Sequence, residues 1–273
     1  MAHTEQQADG QTATPADEPR PKKERGLRGR VLDRLFVSGR IAERERISAR
    51  MTRIRVAGPG LRAVRGEPGQ QVRVLVGGTD ADSFLGRRVG ELRTYSVWQF
   101  GEPDADAGTL DLCVMDHAGD GPGARWARSA RIGDLVRFRG PEGSLTLRPD
   151  APYHVFVGED TASVALGAML RAVPAQVPVF GAVETAREED RLPLSRAGEL
   201  ARPLRGDAPA AGSTTLLDAV RGLELPDEPG TAYVAGEART IQLVRSHLVE
   251  ERGWPRRSVV TKPFWTPGKK GME

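Results

Sequence analysis

The sequence predicts two domains of different class: an antiparallel β-barrel, then a parallel-sheet α/β domain, with a boundary near residue 150. Three observations carry that reading. Short alternating apolar segments divided by Gly-, Pro- and Asp-rich turns fill the stretch from Thr52 to Gly140. After Pro149 strand patterns alternate with helical ones. The chain has 273 residues, 38% of them hydrophobic, which suffices for two packed cores.

Taken in order, residues 1–26 are rich in Gln, Thr, Ala, Pro and Asp and read as a disordered tail. From Leu27 to Met51, apolar Val31, Leu35, Phe36, Ile41 and Ile47 stand among many charges, which reads as amphipathic turns before the first strand. Strands are expected at Thr52–Ala57, Gln71–Val76, Leu92–Phe100, Leu110–Met115 and Leu135–Gly140. Clusters such as Gly58-Pro59-Gly60 and Gly66-Glu67-Pro68-Gly69 punctuate them. In the second half, Tyr153–Val157, Val177–Val183, Ala232–Ala235 and Ser258–Thr261 read as strands. Helices are expected at Thr161–Val173, Thr215–Leu223 and Ala238–Arg252. Such alternation marks a parallel sheet covered on both faces. Ala186 to Ser213 is Pro- and charge-rich, and no further strand is legible there.

Composition excludes several classes. Forty Lys and Arg against 37 Asp and Glu leave +3, with signs alternating along most of the chain. That is a solvated surface, and the basic stretch Arg20 to Arg30 lacks the interleaved aromatics of a nucleic-acid site. Cys113 is the only cysteine, so the chain forms no intrachain disulfide, four-Cys iron–sulfur cluster or thiolate zinc site. Four His without His-x-x-x-His spacing argue against a metal centre. No apolar leader or bilayer-length run occurs, so a soluble cytoplasmic protein without membrane insertion is expected.

Five clusters carry chemistry. In Arg93-Thr94-Tyr95-Ser96 a strand puts a guanidinium and an aromatic ring on one face, a pairing suited to a ligand with both a phosphate and a flat ring. A flavin is such a ligand, with a Ser hydroxyl available to its N5 edge. In Asp116 to Trp126, a Gly-rich turn runs into a helix after Pro122 and offers free N–H groups to a pyrophosphate. Val157 to Ala162 and Tyr233 to Arg239 each carry a strand directly into a helix, the place where open parallel sheets bind ligands. Neither contains Gly-x-Gly-x-x-Gly, and Thr161 can equally serve as a helix cap. Lys262 to Lys270 sets Phe264-Trp265 beside lysines, either as a docking tail or as cover for a planar ligand.

In this order and spacing the clusters resemble the siderophore-interacting protein family, FAD-dependent ferric-siderophore reductases of the ferredoxin–NADP reductase superfamily. The resemblance covers roughly residues 30 to 271. Arg93-Thr94-Tyr95-Ser96 is similar to the family's Arg-x-Tyr-Thr/Ser, and Asp116 to Trp126 to its His-Gly-Asp-Gly-Pro-Ala-x-x-Trp stretch. Gly140-Pro141-Glu142-Gly143 resembles Gly-Pro-x-Gly, and Gly158-Glu159-Asp160-Thr161-Ala162 resembles Gly-Asp-Glu-Thr-Ala. Val234-Ala235-Gly236-Glu237 matches Val-Ala-Gly-Glu, and Phe264 to Gly268 resembles Tyr-Trp-Arg-Arg-Gly.

The resemblance implies a six-stranded antiparallel FAD-binding β-barrel over 27–150 and an NAD(P)H-binding α/β domain with a C-terminal tail over 151–273. It implies FAD and NADPH or NADH as cofactors, with hydride passing from nicotinamide to FAD and single electrons to a ferric siderophore. Arg93, Tyr95 and Ser96 would hold the flavin; His117, Gly121, Ala124, Arg125 and Trp126 would lie along its pyrophosphate and adenosine side. Thr161, Gly236 and Glu237 would line the nicotinamide entrance, with Trp265 near the exposed flavin face. Tyr95, Ser96 and Thr161 would act closest to the chemistry. Arg53, Arg55, Arg73, Lys262 and Lys269 are the expected cationic rim for an anionic chelate or another small acceptor, or for an electron-accepting partner protein.

Two positions depart from the pattern. Trp98 stands where the family places a second Arg, removing one phosphate charge, and Thr266-Pro267 replaces the terminal Arg-Arg. These departures leave open a flavin reductase serving another acceptor, or a non-catalytic flavin- or ligand-binding module. Glu184 could read a ribose hydroxyl and Arg187 a 2′-phosphate, so NADH and NADPH both stay open.

Overall fold

The computed structural model describes residues 35–77, 91–101, 107–117, 119 and 121–269. The tail expected over 1–26, residues 27–34, Ala118, Asp120 and Lys270 lie outside the described residues.

Six strands close into an antiparallel barrel: β1 (Val37–Arg46), β2 (Met51–Gly58), β3 (Gln71–Val76), β4 (Glu91–Phe100), β5 (Gly108–Met115) and β6 (Leu135–Glu142). The order around the barrel is β1-β2-β5-β4-β3-β6. Alternate residues point inward, and Ile54, Val56, Val72, Val74, Leu110, Leu112 and Phe138 are fully buried. β1 corrects the expected amphipathic turns. It pairs with both β2 and β6 and so closes the barrel. Its period-two pattern is hidden because the inward position between Val37 and Ile41 is Gly39. A Cβ there would lie 2.7 Å from Leu61 Cδ1 and Val56 Cγ1. Helix α1 (Pro122–Ser129) follows β5 and packs Ala127 on the barrel core.

The second half is a parallel sheet of order β10-β9-β7-β8, built from β7 (His154–Gly158), β8 (Val179–Val183), β9 (Thr231–Glu237) and β10 (Val259–Trp265). Helices α2 (Ser163–Ala172), α3 (Thr214–Arg221) and α4 (Ala238–Ser246) connect them. Isolated bridges Ala182–Ala201 and Thr185–Leu204 add a fragment of pairing beside β8. Pro203 has no N–H to extend it. The helix expected to reach Arg252 gives way after Ser246 to a π-helical turn, His247–Glu251. β10 outruns its expected end at Thr261 because β9 pairs with it as far as Trp265.

An apolar junction joins the halves. Met51, Trp98, Cys113 and Leu145 from the barrel side share one core with Phe156, Leu166, Met169 and Leu170. Trp98 enters it because α2 offers a glycine: a Cβ on Gly167 would lie 2.7 Å from the Trp98 ring. Among the described residues no helix is long and apolar enough to cross a membrane.

Candidate active site

β4 is extended, so Arg93 and Tyr95 fall on one face and meet the first turn of α1. A Cβ on Gly123 would lie 2.8 Å from Tyr95 Oη and 3.3 Å from Arg93 Cγ, so the glycine lets the helix start pack closely on both side chains. Tyr95 Oη donates to the Gly123 carbonyl at 3.2 Å, and the Tyr95 ring lies 5.3 Å from that of Trp126. Burial pushes the Tyr95 hydroxyl pKa up, against the pull of Arg93, so the phenol stays neutral. Arg93 donates to Glu91 and, at 2.8 Å, to the Leu92 carbonyl.

The helix beginning supplies the rest of the candidate site. Gly121 is the N-cap and Pro122 opens the helix, so the N–H groups of Gly123 and Ala124 have no intrahelical acceptor. They stand at the positive end of the helix dipole. The loop before it is drawn in by Arg128, which donates to the His117 carbonyl at 3.1 Å. His117 is exposed, with Nδ1 accepting from the Gly119 N–H at 3.0 Å. Arg125 is exposed on the same helix. Ser96 lies in β4 opposite Gln71 of β3, next to Tyr95 in the chain. A guanidinium, an aromatic ring and helix N-terminal N–H groups brought together at Gly123 are chemically suited to the phosphates and flat ring of FAD.

The carboxyl end of the parallel sheet is a second cluster, richer in buried charge than the sequence pattern predicts. Glu159, Asp160, Glu184 and Glu237 are each at most 4% exposed. Arg205 answers two of them, donating to Asp160 at 2.5 Å and to Glu184 at 3.5 Å. Glu184 also accepts from Ser213 Oγ at 2.5 Å and is fully buried. Arg187 is exposed and pairs with Asp207. Glu159 accepts from the Thr161 N–H at 2.9 Å, from the Thr161 hydroxyl, and from Trp265 Nε1 at 3.0 Å. Thr161 is therefore not a helix cap; α2 starts at Ser163 with Ala162 as N-cap.

Gly236 passes beside Glu159 with φ +124°, and a Cβ there would lie 2.6 Å from Glu159 Oε1. Glu237 caps α4, accepting from the Thr240 N–H at 2.9 Å and the Gly212 N–H at 3.1 Å. Burial pushes the pKa of Glu159 up, and burial likewise raises that of Glu184. Burial acts the same way on Glu237, but its backbone donors outweigh it and hold the pKa down.

The structure thus joins Thr161, Gly236 and Trp265 through Glu159, and gathers Arg93, Tyr95, Gly121, Ala124 and Trp126 around α1. It does not gather the rim residues. Arg55 donates to the buried Asp111 at 2.8 Å and Arg53 to the same carboxylate at 3.2 Å, with Glu43 also bound to both. Arg73 pairs with Glu142 at 2.5 Å. These three cations are paired with carboxylates on the barrel wall. Lys262 and Lys269 remain with the C-terminal strand and tail.

Comparison with known proteins agrees with this geometry. Residues 40–145 match the family model of the siderophore-interacting FAD-binding domain, and residues 151–268 that of the siderophore-interacting protein. A stretch of 179 residues is 28% identical to the ferric vibriobactin reductase of Vibrio cholerae, covering 65% of this chain and 65% of that relative. The match therefore spans just under two thirds of the relative's length. A siderophore utilization protein from T. fusca superposes with a TM-score of 0.73 at 24% identity, covering 87% of this chain and 95% of the other. The ferredoxin-NADP+ reductase of Plasmodium falciparum superposes at 0.64 with 12% identity, covering 84% and 96%. The family model supports FAD as a cofactor, and the fold is shared with the reductase.

Proposed function

This chain belongs to the siderophore-interacting protein family, and we propose that it is a cytoplasmic FAD-dependent oxidoreductase that uses NADPH or NADH to reduce a ferric siderophore. The observation that carries the reading is the close meeting of Arg93, Tyr95 and the first turn of α1 at Gly123. Bound FAD supplies the hydride acceptor and the means of passing electrons on singly to Fe(III).

The chain's residues bind, orient and shield. Arg93 and the N–H groups of Gly123 and Ala124 hold phosphate oxygens, with His117, Gly121 and Arg125 alongside. Tyr95 lies against the ring system, backed by Trp126, and Ser96 offers a hydroxyl to its edge. Thr161, Gly236 and Trp265 border the nicotinamide entrance, while Glu237 keeps the start of α4 in place. Lys262 and Lys269 present cationic charge to an anionic chelate.

A second reading keeps the chemistry and changes the acceptor. It is favoured by the pairing of Arg53, Arg55 and Arg73 with carboxylates, which leaves the rim with less free positive charge than a siderophore site would use. The test is anaerobic mixing of the FAD-loaded protein with NADH or NADPH, then with a panel of ferric chelates. Bleaching of the flavin absorbance followed by chelate-dependent recovery is the expected result. Bleaching without recovery on any chelate favours another small acceptor or a partner protein. A protein that binds FAD but is bleached by neither nucleotide is a binding module, and the proposal fails.

A further inference from the structure

We propose that Glu159 is the positioning residue of the nucleotide entrance, holding Thr161 and Trp265 in fixed register across three elements of the α/β domain. The inference rests on the proposed placement of Thr161 and Trp265 at that entrance. Its structural basis is independent of that placement. One carboxylate, 1% exposed, accepts from the Thr161 N–H and hydroxyl before α2 and from Trp265 Nε1 at the end of β10. The third element is β9, whose Gly236 has no Cβ; one would come within 2.6 Å of Glu159 Oε1.

Trp265 needs such a tie. The β9–β10 register shifts between Pro263 and Trp265, and Pro263 itself has no N–H to bond with. The ladder therefore weakens where the aromatic side chain must be aimed. An indole hydrogen bond to a residue fixed in β7's continuation restores a defined position. Stability alone gives little reason to keep a carboxylate here. Burial disfavours its charged form, and Asp160 next to it adds like charge. An amide or an apolar side chain would be easier to bury, but an amide has one oxygen to accept with, where the carboxylate has two for three donors.

The test is a double-variant cycle on the FAD-loaded protein with Trp265→Phe, Glu159→Ala and the pair together. Trp265→Phe removes the N–H and keeps an aromatic ring on a half-buried tail, so it does not depend on a buried site surviving substitution. Two readouts are taken: the indole N–H resonance of Trp265, assigned by its loss in Trp265→Phe, and KM and kcat for the better nicotinamide. Glu159→Ala is expected to shift that resonance. Each single variant should raise KM by roughly two- to tenfold, the worth of one hydrogen bond. The double variant should be no worse than the poorer single one.

A resonance that ignores Glu159→Ala, or KM values that stay at wild type or add independently, overturns the assignment. Those failures require a wild-type protein that nicotinamide does reduce. If neither nucleotide reduces the wild type, the proposed function falls, and the positioning role falls with it.

Discussion

Gly123→Ala tests the proposed flavin site without deleting any group that would bind there. The new Cβ would stand 2.8 Å from Tyr95 Oη and 3.3 Å from Arg93 Cγ, and both must yield. Tyr95 Oη is the far end of a side chain that can swing, so the strain is relieved by moving the ring and not the backbone. The Tyr95 hydrogen bond to the Gly123 carbonyl then breaks, at a cost of about 0.5–1.5 kcal/mol. Replacing Gly by Ala in a helix returns up to about 1 kcal/mol. Net stability should therefore change by no more than about 1 kcal/mol, measured by urea unfolding of the flavin-free protein. Flavin affinity should change far more. Displacing the ring and the guanidinium together removes at least one charge-assisted contact, about 1.5–3 kcal/mol. That is a rise in FAD Kd of roughly ten- to 150-fold. Fluorescence-quenching titration of FAD is the assay. A folded Gly123→Ala protein with wild-type FAD affinity would refute the placement of the flavin against β4 and α1.

Arg93→Ala should weaken FAD binding more than Tyr95→Ala, since the guanidinium contributes a charge-assisted contact and the ring mainly alignment; flavin retained after gel filtration reads both. Trp98→Ala should cost about 3–5 kcal/mol in urea unfolding, because the residue is 8% exposed in the core shared by both domains. The pH dependence of stability should carry the mark of Glu159. Its folded pKa is raised above the ordinary 4.5, so the folded state binds the proton more tightly than the unfolded chain does. The resulting stabilisation is full below pH 4.5 and is lost as pH rises through the interval up to the folded value. Glu159→Gln, which cannot ionise, should therefore gain in Tm relative to wild type as pH rises from 4 to 8; a constant Tm difference would show that Glu159 does not titrate abnormally.

The legible parts of the fold were those where one chain segment declares its own pattern. Val72 and Val74 alternate with Gln71 and Arg73 and mark β3 directly, and Arg93 and Tyr95 share a face because a strand has period two. β1 was illegible because its inward position is a glycine, and a missing side chain leaves no apolar mark. The start of α1 was readable for the same local reason, since Pro122 and the glycines announce it. The carboxylate cluster was not. Trp265 reaches Glu159 across 106 residues of chain, and Arg205 reaches Asp160 across 45. Glu159-Asp160 directly after a buried strand was the available signal, but two adjacent acids at a strand end look the same whether they face solvent or the interior. The ion pair of Arg55 was hidden in the same way: it aligns with Asp111 only once β2 pairs with β5.

Trp98 shows how a single departure from a family pattern acquires a physical cause. In sequence it reads as one fewer cation for a phosphate. In the structure it faces α2, where Gly167 makes room for its ring and the Arg171 guanidinium lies 4.0 Å above it. Arg171 also donates to the Trp98 carbonyl, and burial lowers its pKa, so it depends on that aromatic face for compensation. An arginine at 98 would bring a second guanidinium against Arg171 inside an apolar junction, where like charges are least screened. Tryptophan at 98 and arginine at 171 therefore form one solution, and it fixes β4 on α2. The strand that presents Arg93 and Tyr95 is anchored, three residues beyond the ring, to the helix that starts next to Thr161. Under the proposed function, phosphate charge would come from Arg93, Arg125 and the first turn of α1, while Trp98 ties β4 to α2 across the apolar junction.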